Sequence, residues 1–204
     1  MRRWIVLAAA LAVLLPGCAR DDPVITPPVD IGSTPSPTAQ PTPSPTPSPT
    51  ATGEDLAGAS CEDREGGNDR NFPDFVRVKV EREGGVDKVE FRFDPEDGAT
   101  DAPRHFLGFA DELITEGEGA PVDLEGNAYL SVSFMARGVD LSGEGFEEIY
   151  TGPKRLTPGF PTVKELQHLG DFEGLISWGI GLESRACYVL RARADRLVLL
   201  FPSG

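Results

Sequence analysis

Histidine is nearly absent from this chain. His105 and His168 are the two in 204 residues, and neither stands in a His-Glu-x-x-His, Cys-x-x-Cys or paired-histidine spacing. The ligand set of a zinc hydrolase is therefore missing. No Gly-x-Ser-x-Gly occurs, which removes the nucleophile elbow of an α/β-hydrolase. The acidic loops have no EF-hand spacing, and no cofactor is implied. Cations are also scarce: 19 Lys and Arg stand against 33 Asp and Glu, a formal charge of −14. Such a surface is repelled by phosphate backbones, so nucleic acid is excluded as a partner class. Binding an anionic envelope polymer would need a local basic patch or a neutral, hydrogen-bonding groove, and Lys154-Arg155 is the only compact basic pair in the second half of the folded region. No apolar run reaches the roughly 20 residues that a transmembrane helix needs.

The longest apolar run, residues 5–15, follows Arg2 and Arg3 and stops at Pro16-Gly17. A cationic start and a short apolar stretch are the marks of an export signal, here residues 1–17. Leu15-Pro16-Gly17-Cys18 resembles the lipobox of bacterial lipoproteins, in which the cysteine sulfur receives diacylglycerol. That resemblance makes Cys18 the lipidated first residue of the mature chain, held at the extracytoplasmic face of the cell membrane. Residues 18–53 are then dominated by Pro, Thr and Ser. Proline fixes φ and donates no backbone hydrogen bond, so this stretch is expected to be extended polyproline II. At about 3.1 Å per residue it reaches roughly 100 Å. It serves either as a passive spacer or as an O-glycosylated stalk.

Beyond residue 53 the composition changes. A polar extension, residues 54–71, leads into a folded region expected at 72–204. Its dominant period is two. Val76, Val78 and Val80 alternate with Arg77, Lys79 and Glu81, and Val89, Phe91 and Phe93 alternate with Glu90 and Arg92. Alternation of this kind predicts half-buried strands, and Glu83-Gly84-Gly85 predicts a hairpin between them. Further strands are predicted at 103–109, 128–135, 163–169, 175–182, 187–191 and 196–201. Short strands without a helical stripe predict an all-β fold, a β-sandwich of two short antiparallel sheets.

Setting Cys18 aside leaves Cys61 and Cys187. An even pair in an oxidising compartment is consistent with a disulfide that pins the polar extension to the sandwich, the alternative being two unpaired thiols.

Few side chains stand out as ligands. Tyr150, Lys154 and Arg155 share a Gly-Pro-punctuated loop, while Asp171, Glu173 and Trp178 lie in an acidic turn and the strand after it. Flat rings and a guanidinium suit sugar or peptide surfaces. The opposing reading places Trp178 in the core, on the parity of Ile176 and Ile180, with Arg155 bracing the loops through Asp171 or Glu173. Both histidines are expected at the surface or at strand edges. The abundant carboxylates, Asp94, Glu96 and Asp97 among them, read as a solvated face. A hydrolase using a carboxylate pair remains the alternative to a binding role.

Seven segments carry a family likeness: residues 72–76 leading into 89–93, then 118–122, 150–155, and 170–174 with 178–182 and 196–198. Together they resemble the AMIN-like domain of bacterial envelope lipoproteins. The resemblance implies a β-sandwich without catalytic residues that targets peptidoglycan or a wall-associated protein, and it assigns no ligand residues.

Overall fold

The computed structural model describes residues 56–140, 142–143 and 145–203. Residues 1–17, read as an export signal, Cys18 and the segment read as a tether lie outside the described residues. Fourteen strands follow one another: β1 (Arg64–Gly66), β2 (Asp74–Glu83), β3 (Val86–Asp94), β4 (His105–Ala110), β5 (Leu113–Ile114), β6 (Pro121–Val122), β7 (Ala128–Met135), β8 (Val139–Asp140), β9 (Glu147–Glu148), β10 (Arg155–Leu156), β11 (Val163–Phe172), β12 (Leu175–Leu182), β13 (Val189–Arg193) and β14 (Arg196–Pro202). Six of them form one sheet in the order β1-β4-β7-β12-β11-β10, and four form another in the order β13-β14-β3-β2. Two small two-stranded sheets, β5-β6 and β8-β9, complete the set. Every ladder between two of these strands is antiparallel. The described residues thus adopt the all-β fold that the sequence predicts.

The two large sheets face each other across one core. Phe91 and Val89 on β3 with Leu197, Leu199 and Phe201 on β14 meet Leu130, Val132 and Phe134 on β7 and Ile176, Trp178 and Ile180 on β12. Period-two alternation places these side chains on the inner faces. One expectation fails at β2. Val76 is 42% exposed, whereas Phe75 and Val78 are buried, because the register shifts between Phe75 and Arg77. A bulge adds one residue without advancing the pairing, so the apolar parity changes at that point.

Both sheets also bury part of their outer faces. On β12, Gly179 and Gly181 alternate with Trp178, Ile180 and Leu182, and the segment carrying β5 and β6 lies against them. A Cβ on Gly179 would come within 3.2 Å of Leu124 Cδ1, and one on Gly181 would collide with the Glu125 carbonyl. Leu113, Leu124 and Leu169 form a small apolar cluster in this layer. On the four-stranded sheet, Val86, Val189, Val198 and Leu200 cluster on the outside with Leu56 packed against them.

Asp87 joins the sheets from within. It is fully buried on the inward parity of β3. It accepts hydrogen bonds from Thr162 N at 2.9 Å, Val163 N at 3.0 Å and Ser203 Oγ at 2.6 Å. A buried carboxylate is tolerable because these donors replace its water.

The polar extension is more ordered than its composition predicts. Residues 64–66 form β1 and pair with β4, and Cys61 and Cys187 are joined by a disulfide. β4 is therefore not an edge, and His105 is correspondingly not a surface residue. It is 3% exposed, its Nδ1 lies 2.8 Å from the Pro103 carbonyl, and burial depresses its pKa. A Cβ on Gly66 would sit 2.9 Å from its Nε2, so a glycine lets β1 close over the ring.

Candidate functional site

A cleft of about 810 Å³ opens at one end of the sandwich. Phe72 lies just before β2 and Asp74 at its start, Arg137 lies between β7 and β8, Asp140 on β8, Phe146 just before β9, Asp171 near the end of β11 and Glu173 in the β11–β12 turn. Its size is that of a small-ligand or oligomer subsite.

The β11–β12 turn is held tightly. Phe172 pairs with Leu175, leaving Glu173 at φ 53° and Gly174 at φ 79°. Positive φ at both central positions is the type I′ pattern that suits the twist of a two-residue hairpin. Glycine adopts it freely, but Glu173 is a side chain in left-handed backbone, strain of the kind concentrated at functional sites. Gly174 also receives the Phe72 ring, since a Cβ there would lie 2.6 Å from its Cζ. Gly138 makes room for Asp171, whose Oδ2 would collide with any Cβ at that position.

The charges in the cleft are unequal. Desolvation raises the Asp171 carboxyl above its ordinary pKa, against the lowering effect of the Gly174 and Gly138 amides. Asp140 is lowered by the hydrogen bond from the Ser142 amide, which it accepts at 2.8 Å. Arg137 is held by Asp74 at 2.5 Å and Glu96 at 3.5 Å. Phe146 is 86% exposed. The cleft thus offers an open aromatic face beside carboxylate acceptors, which is what sugar C–H faces and hydroxyls can use together. Among the described residues no group of three or more His, Cys, Asp or Glu side chains is placed to hold a metal ion.

The sequence candidates separate into two groups. Asp171 and Glu173 line the cleft. Tyr150 and Lys154 line a smaller neighbouring cavity of about 300 Å³ that also includes Asp171 and His168. Tyr150 itself belongs to the core: it is 5% exposed, its ring centroid lies 4.6 Å from that of Phe75, and its hydroxyl donates to the Pro153 carbonyl at 2.7 Å. Burial pushes its pKa up to about 12. Gly152 is needed because a Cβ there would press on the ring at 2.7 Å. Trp178 is fully buried, as its parity predicts, with its Nε1 lacking a hydrogen-bond partner among the described residues. Neither ring is available to stack on a ligand.

Lys154 pairs with Glu148 at 2.9 Å. Arg155 does not brace Asp171 or Glu173. It forms an ion pair with Glu165 and donates to the Asp123 carbonyl at 3.1 Å, because β10 pairs with β11 and faces the 123–125 segment. His168 is half-buried with its ring 5.2 Å from Trp178, and burial lowers its pKa, aided by Lys154. The sequence reading missed Phe146, Arg137 and Asp140. A lone aromatic among Ser142, Gly143 and Gly145 was the available signal, since an unsupported ring in a glycine-rich loop has no core to join.

The fold and the cleft define a non-helical sandwich domain with a ligand-sized opening between loop ends. More narrowly, the family model for the AMIN-like domain matches residues 73–199, and the chain belongs to that family. Neither the curated proteins nor the solved structures include a match to it.

Proposed function

We propose that this protein is an exported lipoprotein whose AMIN-like domain is a non-catalytic binding module for peptidoglycan or a wall-associated protein. Cys18 carries the lipid, residues 18–53 form the tether, and the cleft at the sandwich end makes the contact. The observation that supports this reading is the pairing, in one opening, of the exposed Phe146 ring with the carboxylates of Asp140, Asp171 and Glu173. Tethering helps a modest binder, because it raises the effective concentration of ligand near the anchor.

Co-sedimentation of the full-length protein in detergent with purified sacculi tests the contact. Retention is expected, and Phe146→Ala should weaken it by about ten-fold, the equivalent of one stacking contact of about 1.4 kcal/mol. Absence of retention at low salt would overturn wall binding in favour of a protein partner. Release of soluble muropeptides from the same sacculi would make the protein a hydrolase instead. Cys18→Ala should accumulate unprocessed precursor, and normal maturation of that variant would remove the anchor from the proposal.

A further inference from the structure

The register of the four-stranded sheet brings four arginines into one line. Arg77 on β2 stands opposite Arg92 on β3, Arg92 opposite Arg196 on β14, and Arg196 opposite Arg193 on β13. All four face away from the core, because Val78, Phe91, Phe93 and Leu197 beside three of them pack into it, as does Leu190 on the parity opposite to Arg193. With strands about 4.8 Å apart, the line is about 14 Å long. Arg77 and Arg193, at its two ends, are exposed, and among the described residues neither has a carboxylate within ion-pair distance. Arg92 and Arg196 share Glu90 and Asp195: Arg92 lies 3.5 Å from Glu90 and 3.8 Å from Asp195, and Arg196 lies 2.5 Å from Asp195. Arg92 and Arg196 are thus compensated, and the positive charge left over sits at the two ends of the line, on Arg77 and Arg193, in a chain whose formal charge is −14.

Like charges directly opposite across strands destabilise a sheet. Here like charges recur at three successive pairings, offset at the centre by Glu90 and Asp195 but not at the two ends. An anion laid along the line would relieve that repulsion, and guanidinium groups grip phosphate through paired N–H donors.

We propose that this line is a binding site for a linear phosphodiester polymer of the cell envelope. Its shape selects a chain over a membrane surface. The cations form a single row, with Glu90 on one side and Asp195 and the opposed Asp74 and Asp94 on the other. A planar anionic bilayer would press its headgroups onto those carboxylates, whereas a single polymer strand can follow the row. The site is distinct from the cleft. It depends on the export reading above for the source of the polymer, but not on peptidoglycan binding.

Synthetic poly(glycerol phosphate) is the probe, with full-length protein in detergent and affinity read by fluorescence anisotropy across a salt series. Binding should fall with rising salt with a log–log slope of about −3, the value for roughly four phosphate contacts. The double change Arg77→Gln with Arg193→Gln should weaken binding about ten-fold and flatten the slope by about 1 to 2. Its melting temperature should be unchanged or higher, because repulsion is removed, so lost binding is separable from lost folding. Lys164→Gln, on the other sheet, removes the same kind of charge and should leave affinity within about two-fold. Three results would overturn the proposal: no binding at low salt, binding indifferent to the double change, or equal arginine-dependent binding to phosphatidylglycerol vesicles. Sacculi stripped of phosphate polymers should retain the double variant as well as they retain the wild type. Selective loss of the variant there would assign the line to peptidoglycan instead. Failure of both proteins on stripped sacculi, with polymer binding intact, would remove the cleft reading alone.

Discussion

Replacing Asp87 by alanine should be among the most damaging single changes in the domain. The carboxylate is fully buried and takes hydrogen bonds from the Thr162 and Val163 amides and the Ser203 hydroxyl. Ser203 can turn towards water, but the two amides at the start of β11 would lose their partner inside the protein. Each buried orphan donor costs about 1–3 kcal/mol, so the loss should be roughly 3–5 kcal/mol after the relief of burying a charge is allowed for. For a domain of about 150 residues that corresponds to a melting temperature lower by roughly 10 °C or more. Asp87→Asn is the discriminating partner. Both amides bond one oxygen, Oδ2, so an asparagine placing its carbonyl there keeps them, with its amide nitrogen donating to Ser203 Oγ. It should lose only about 1 kcal/mol. Urea unfolding followed by the fluorescence of the buried Trp178 reads both variants. A loss below about 1 kcal/mol for alanine, or an asparagine variant no better than alanine, would refute the clasp.

Other consequences are open to direct measurement. Glu173→Asn should stabilise the domain by about 0.5–1 kcal/mol, since asparagine tolerates positive φ better, and a destabilised variant in thermal melts would contradict the strained turn. Reduction of the disulfide between Cys61 and Cys187, 126 residues apart, should cost up to about 5 kcal/mol in the chain-entropy model, and titratable free thiols at both positions in native protein would deny the bridge. Tyr150→Phe should lose about 1 kcal/mol with the bond to Pro153 and leave sacculus retention unchanged, whereas a loss of retention would return the ring to the ligand site. Arg155 and the Glu125 amide hold the Glu165 carboxyl below its ordinary value, against its burial. The stabilisation from that depressed pKa is therefore present above the unfolded value of 4.5 and is lost as pH falls through the folded one. Urea midpoints of wild type and Glu165→Gln should converge on that acid limb, and a constant difference would count against the pairing.

Local pattern carried most of the architecture. β7 and β12 run over residues 128–135 and 175–182, where apolar alternation places them, because side chains on a strand change face at every residue whatever the partner. The bulge at Val76 was not legible, since nothing in Val76-Arg77-Val78 announces that pairing slips there. The short β1, β5, β6, β8, β9 and β10 were equally silent, two- and three-residue pairings having no period of their own. At the site, Asp171 and Glu173 were visible as an acidic turn. Tyr150 looked like a ligand because an aromatic beside Gly-Pro reads as a loop, when the glycine there is the space its ring occupies.

Composition and period alone determined that the described region would be all-β with a core of alternating Val, Phe, Leu and Ile, because hydrophobic burial and strand geometry act residue by residue. Register was decided only by the tertiary structure. Asp87 interrupts an apolar parity for no local reason, and its reason lies in two amides more than seventy positions away. Arg77, Arg92, Arg193 and Arg196 are scattered through an acidic chain, and become one cationic line only when three ladders bring them opposite one another. Net charge sums over the whole sequence, whereas an electrostatic site depends on which charges the pairing of strands makes neighbours.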